Sequence, residues 1–131
     1  TARHNIHATK GSLIIDWPNA ETPGGKARFA LCQKLCQLRH TEKALTHGTM
    51  TWLDNSAPDE VLSFLRTTGE EQVLVLINMT KKEVTVEVTM PLNAKSSFPS
   101  LLVRDAEERA AKSDKKVFDL KSCSFFVGKQ K

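Results

Sequence analysis

Phe29-Ala30-Leu31-Cys32-Gln33-Lys34-Leu35-Cys36-Gln37-Leu38-Arg39-His40 runs into Ala44-Leu45-Thr46-His47-Gly48, and from there on the chain reads only as strands. Leu31, Leu35 and Leu38 fall at i, i+4 and i+7, and Phe29, Cys32 and Cys36 widen the same arc. A helix is predicted over about Lys26 to His40, with apolar residues on about half its circumference. That is wider than the stripe of an ordinary surface helix, so this helix asks for cover on two sides. Each large side chain left uncovered forgoes about 1.5–3 kcal/mol of burial. The isolated chain is therefore expected to hide this face, by dimerising or by folding its own N-terminal segment over it.

The strands that follow are patterned to close a small core. Thr49-Met50-Thr51-Trp52-Leu53 is the first, ended by the turn-forming Asp54-Asn55-Ser56-Ala57-Pro58. The second runs from Glu60 to Thr67, with Val61 and Leu65 on one face and Leu62 and Phe64 on the other. After a hairpin turn at Thr68-Gly69-Glu70-Glu71, Val73 to Ile77 is apolar on both faces and predicts a central, doubly covered strand. Val84, Val86, Val88 and Met90 alternate with Thr85, Glu87 and Thr89, as a half-buried strand does. Leu101 to Val103 reads as a short strand. Asp105 to Ala111 has helical propensity, yet stands where a meander needs a hairpin tip. Val117 to Leu120 and Ser124 to Val127 read as two closing strands. The fold expected is mostly β: a small antiparallel β-sandwich, Greek-key-like, preceded by a loop and one α-helix. Residues 1–27 show no sustained period, only the apolar run Leu13-Ile14-Ile15 and the punctuation Asp16-Trp17-Pro18 and Pro23-Gly24-Gly25.

Composition excludes several classes of function. The 131 residues suit one domain, and 40% hydrophobic with 26% charged is ordinary globular composition. No apolar run approaches the ~18 residues of a membrane span, and nothing after Thr1-Ala2-Arg3-His4 reads as a secretory signal. The chain also lacks an initiator Met, so these residues need not be the natural start. The net charge of +4 is spread over basic residues interleaved with acidic ones, without a basic stripe carrying stacking aromatics. No nucleic-acid and no membrane partner is expected. The three cysteines are read as buried free thiols, which leans toward a reducing compartment.

Motifs for chemistry are sparse. Asp59-Glu60, Glu70-Glu71 and Glu107-Glu108 are carboxylate neighbours in sequence, but acid–base catalysis needs two carboxyls facing each other across a bond. Their expected place is the solvated surface, and no catalytic residue is assigned. His4 with His7, or Cys32, Cys36 and His40 on one helix face, have metal-ligand chemistry, but a site needs ligands converging from several elements. A floppy terminus and core packing explain them better, and neither metal nor cofactor is expected. There is no nucleophile elbow and no phosphate-cradling Gly-rich loop. Asn78-Met79-Thr80 fits a glycosylation sequon and, better, a hairpin turn. Trp17 and Trp52 are the two indoles. Each could stack on a sugar ring. The alternative is that Trp17 pins its loop and that Trp52, alternating with Met50, belongs to a strand with one core face.

Taken in order, Leu31 to Gly48, Val61-Leu62-Ser63-Phe64-Leu65-Arg66-Thr67 and Gln72-Val73-Leu74-Val75-Leu76-Ile77-Asn78-Met79-Thr80 resemble the C-terminal end of the alpha-amylase family of glycoside hydrolases. The flavour is that of neopullulanases, cyclomaltodextrinases and alpha-glucosidases. Ile14-Ile15-Asp16-Trp17 is similar to the loop before their last barrel helix, and the resemblance fades beyond about Met90.

The resemblance implies that residues 1–44 are a loop plus the last helix of a (β/α)8 barrel, and that residues 45–131 are a C-terminal antiparallel β-sandwich. The family's catalytic Asp, Glu and second Asp would lie upstream, on a barrel of about 250 residues, and none maps onto this sequence. The chain would be a non-catalytic domain that packs on and stabilises its own barrel, in an enzyme acting on α-glucans. Phe29, Leu31, Cys32, Leu35, Cys36 and Leu38 would be the packing residues. The alternatives are a carbohydrate-binding module using Trp17 or Trp52, or a self-association domain forming a homodimer. The compartment of the parent protein, cytoplasmic or periplasmic, is not fixed by these residues, although the unpaired thiols favour the first.

Overall fold

The computed structural model describes residues 17–69, 71–112 and 114–130, apart from the side chains of Ala110 and Ala111. The chain divides into two units, one ending at Leu38 and one beginning at Arg39.

In the first unit, Trp17–Glu21 forms a 3-10 turn. Helix α1 spans Pro23–Thr41, carrying Arg39 and His40 in its last turn, where cations favour the helix dipole. It begins ahead of the expected Lys26 because Thr22 caps it. The Gly25 amide donates to Thr22 Oγ1 at 3.0 Å, and the Thr22 hydroxyl donates to the Asn19 carbonyl at 2.7 Å. Pro23 then occupies the first helical position, where its missing N–H costs nothing. Gly25 is required, since a Cβ there would lie 2.2 Å from the Asn19 oxygen.

No residue of α1 is buried. Phe29 and Leu35 are exposed, and Leu31 and Leu38 are half-buried. Cys32, Cys36 and Cys123 are all exposed, which corrects the expectation of buried thiols. Two lie on the uncovered helix arc and the third on a strand corner. Leu13 to Asp16, His4 and His7 lie outside the described residues.

The second unit holds α2 (Lys43–His47), β1 (Thr49–Trp52), β2 (Val61–Thr67), β3 (Gln72–Asn78), β4 (Val84–Thr89), β5 (Ser100–Ala111) and β6 (Lys115–Gln130). All pairings are antiparallel, in the order β1-β2-β3-β6-β4, with β5 on the far side of β6. Strand β6 is the spine. Its Lys115 to Leu120 half pairs with β4, its Phe125 to Gln130 half pairs with β3, and β5 runs beside both halves. The sheet therefore curls into two layers, and the result is the small antiparallel sandwich expected.

Two expectations are corrected here. Asp105 to Ala111 is neither helix nor hairpin tip but the second half of the twelve-residue β5. Val117 to Leu120 and Ser124 to Val127 belong to one sixteen-residue strand. The hairpin is bent at a bulge, where a single residue, Asp105, stands opposite Lys121 to Ser124. Asp105 and Cys123 have positive φ, at 49° and 50°. Propensity favours a helix at Asp105 to Ala111, but pairing with β6 overrides it.

The core lies between the layers. Val61, Leu65, Leu74, Leu76 and Phe126 from one face Val84, Val86, Val88, Phe118 and Leu120 from the other. The Phe118 and Phe126 rings stand 5.0 Å apart. Asn78 pins the corner where β6 changes partner. Its amide donates to the carbonyls of Lys82 at 2.7 Å and Lys121 at 2.9 Å, and its Oδ1 accepts from the Thr80 amide and hydroxyl. The sequon is therefore a turn with a buried Asn. Lys116, also buried, pairs with Glu108 at 2.9 Å and donates to the Ser96 carbonyl at 2.8 Å, tying the loop after β4 to the sheet.

Candidate functional site

Two surfaces of the second unit present chemistry. The first is the outer face of the β1-β2-β3-β6-β5 layer. Register places Met50 and Trp52 of β1, Leu62 and Phe64 of β2, Val73, Val75 and Ile77 of β3, Phe125 and Val127 of β6, and Leu102 of β5 on it. Val73, Val75 and Val127 are covered by Ala44 of α2. The Arg66 guanidinium holds α2 in place, donating from Nε to the Ala44 carbonyl at 3.1 Å and from Nη2 to that of Leu45 at 3.2 Å. Gly48 lets the chain turn into β1, since a Cβ there would meet the Ala44 oxygen at 2.3 Å.

Beside α2, Lys129 of β6 bonds to Glu42, and to Glu71 at 3.2 Å. The three side chains are only 12–15% exposed. The Glu42 hydrogen bond holds the Lys129 ammonium above the ordinary lysine value; burial opposes this, and Glu71 adds a second hydrogen bond. The network is a structural clamp between α2 and the sheet. The sequence reading missed it, because Glu42 and Lys129 are 87 residues apart.

The rest of this face is open. Trp52 is 60% exposed and meets Phe64 edge-on, with ring centroids 5.6 Å apart. No residue of β1 is buried, and the inward turn comes one residue later, at Leu53. The expected core face of that strand is thus corrected: β1 is an edge strand, paired among the described residues only with β2, and none of its four residues is buried. Trp17 is 73% exposed on its 3-10 turn, so it is not the buried anchor expected of it.

The second surface is a cleft of about 350 Å³ on the other layer, lined by Glu83, Asp105, Ala106, Glu107, Asp119 and Lys121. Two of its four acids have partners. Asp119 accepts from the Thr85 hydroxyl at 2.6 Å and pairs with Arg109 at 3.6 Å, and Glu83 pairs with Lys121 at 3.3 Å. A general acid–base pair needs two carboxyls whose environments drive their protonation apart. Asp59, Glu60 and Glu108 do not join this cleft, and Glu70 lies outside the described residues. Among the described residues no three His, Cys, Asp or Glu side chains converge as metal ligands.

The family model described as "Maltogenic Amylase, C-terminal domain" matches residues 50–127. The chain belongs to this family. Its β-sandwich is therefore a C-terminal domain of the alpha-amylase type, as the motif order from Leu31 to Thr80 implied. Solved structures share the fold. A debranching enzyme from Nostoc punctiforme superposes with a TM-score of 0.71 at 20% identity over 89% of this chain. A noncanonic maltogenic alpha-amylase from Thermotoga neapolitana gives 0.58 at 16% over 76%. Trehalulose synthase from Pseudomonas mesoacidophila gives 0.60 at 19% over 79%. The match spans 24%, 25% and 18% of those three chains. A search of curated proteins finds no match to the chain.

Proposed function

We propose that this maltogenic-amylase C-terminal domain is the non-catalytic terminal domain of an alpha-amylase-like glycoside hydrolase acting on α-glucans, and that it packs on and stabilises the catalytic barrel. One observation carries the reading: a sandwich of this family follows a helix whose apolar arc, Phe29, Leu31, Cys32, Leu35, Cys36 and Leu38, has no buried residue. In this reading the arc is the packing surface of the last barrel helix. Incubation of the purified chain with maltooligosaccharides is the test. No new reducing ends should appear, whereas the complete gene product should cleave the same substrates and lose thermal resistance when residues 45–131 are deleted. Turnover by the 131-residue chain alone would refute the assignment.

A second reading, a glucan-binding module, rests on the exposed Trp52 ring braced by Phe64. It requires saturable binding of maltoheptaose at millimolar concentration that Trp52→Ala abolishes without unfolding the domain.

A further inference from the structure

Between Arg39 and His47 a helix breaks without a breaking residue. Helix α1 ends at Thr41, Glu42 is extended at φ −91° and ψ 110°, and α2 begins at Lys43. Sharp breaks in a helix usually trace to Pro, to Gly and Ser, or to a group inserted into the hydrogen-bond ladder. Arg39-His40-Thr41-Glu42-Lys43-Ala44-Leu45 holds no Pro, Gly or Ser. Its Arg, Glu, Lys, Ala and Leu are strong helix formers. Neither side of the break is built as a terminus. No Gly follows Thr41 to make a left-handed cap. Glu42 stands at the N-cap of α2 yet makes no side-chain cap bond, and Glu is not among the residues that favour that position. Local sequence therefore favours one helix through Glu42, and tertiary contacts impose two.

Those contacts lie within the second unit. The Glu42 carboxylate, instead of capping α2, accepts from the Lys129 ammonium, and both side chains are largely buried. Lys129 is held in turn by Glu71 at 3.2 Å. Arg39 Nη1 donates across the break to the Leu45 carbonyl at 3.3 Å. In a continuous helix Arg39 and Leu45 would stand about 9 Å apart along the axis, with side chains leaning toward the N-terminus. The Arg39 bond therefore belongs to the broken form alone. Arg66 acts differently. It donates to the Ala44 and Leu45 carbonyls, and with the buried Ala44 it keeps α2 on the sheet whatever the backbone of Glu42 does.

We infer that Glu42 is a one-residue conformational joint whose state is set by Lys129. With the ion pair made, Glu42 is extended and the helix is broken. With the pair released, Glu42 turns helical and α1 joins α2, which stays on the sheet. The change needs new φ and ψ at one residue. It gives the Lys43 and Ala44 amides, which are among the orphan donors of a helix start, the carbonyls of Arg39 and His40 as partners. Whether the chain enters the sandwich through a broken or a continuous helix is thus decided by one long-range ion pair. This holds whether or not the parent protein is a hydrolase.

Carbon chemical shifts of the 131-residue chain read the Glu42 backbone directly. In the wild type, Glu42 should show the Cα shift of an extended residue between helical shifts on either side. Two variants release the pair from opposite ends. Glu42→Ala leaves Lys129 with Glu71, and Lys129→Met leaves Glu42 in the sequence. In both, the Cα shifts from Arg39 to His47 should become helical without interruption. Hydrogen exchange at the Lys43 and Ala44 amides should slow by about tenfold. Lys129→Arg should keep the wild-type pattern. The Leu76 and Phe126 amides report the sheet and should keep their protection throughout; if Lys129→Met loses it, Lys129→Gln takes its place. An extended Glu42 shift that persists after Lys129 is replaced, with the sheet intact, would overturn the inference. So would loss of helical shifts from Ala44 to His47, which would make Lys129 a support for α2 rather than for the break. Joining in Glu42→Ala alone would also overturn it, since the helix propensity of alanine would then suffice.

Discussion

Asn78 shows what a motif leaves unsaid about one side chain. In sequence it heads an Asn-x-Thr triplet; in the fold its amide bonds to the carbonyls of Lys82 and Lys121, 2% exposed. Asn78→Ala leaves those carbonyls and the Thr80 amide without their partner. A cost of about 2–4 kcal/mol is expected, since buried groups left unpaired lose their full solvation. Urea unfolding measures it, and a change below about 0.5 kcal/mol would deny Asn78 its role as corner pin. Lys129 gives a pH prediction. Its pKa is raised in the fold, so the folded state holds the proton more tightly than the unfolded chain. The clamp's contribution is complete below the ordinary lysine value of 10.5 and is lost as pH rises through the folded value. The gap between the urea midpoints of wild type and Lys129→Met should therefore stay constant below pH 10.5 and narrow as pH rises above it. A gap that stays constant above it as well would show that the clamp acts through packing alone.

Among the elements, the β5–β6 hairpin decides the architecture. The apolar pattern located both halves of β6 but read them as separate strands, because Lys121-Ser122-Cys123 is polar or small and interrupts the alternation. In the fold this interruption is the bulge that lets one strand serve two layers. The Cys123 backbone sits at φ 50°, which a β-branched side chain resists and glycine accepts. Cys123→Val should cost about 1–2 kcal/mol more than Cys123→Gly; equal melting curves for the two would place the strain elsewhere. Helix α1 was legible in type, but its start was not. Pro23 and Gly24 read as loop punctuation, and only the Thr22 cap contacts show that they open the helix.

At the scale of the molecule, every core residue among those described lies from Ala44 onward. The sandwich should therefore fold without the first unit. Removing residues 1–38 is expected to leave the melting midpoint within about 2 °C, since 1 kcal/mol shifts a domain of this size by about 4–8 °C. A larger fall in calorimetry would show that the first unit contributes to the core. The same truncation should reduce self-association if the α1 arc draws two copies together, which sedimentation velocity reads directly.

The sequence by itself determined the helix, most of the strands, and the faces of β2, β3 and β4. Period-two alternation in β4, the doubly apolar β3 and the family motifs from Leu31 to Thr80 depend on neighbours along the chain, and such local order is written in the residues. Only the tertiary structure decided which faces meet. It joined β6 into one bent spine, brought Glu42 to Lys129 across 87 residues, and left one outer face apolar and the other polar. These outcomes depend on pairings distant in sequence, where register and a single bulge decide the partners, and no local pattern records them.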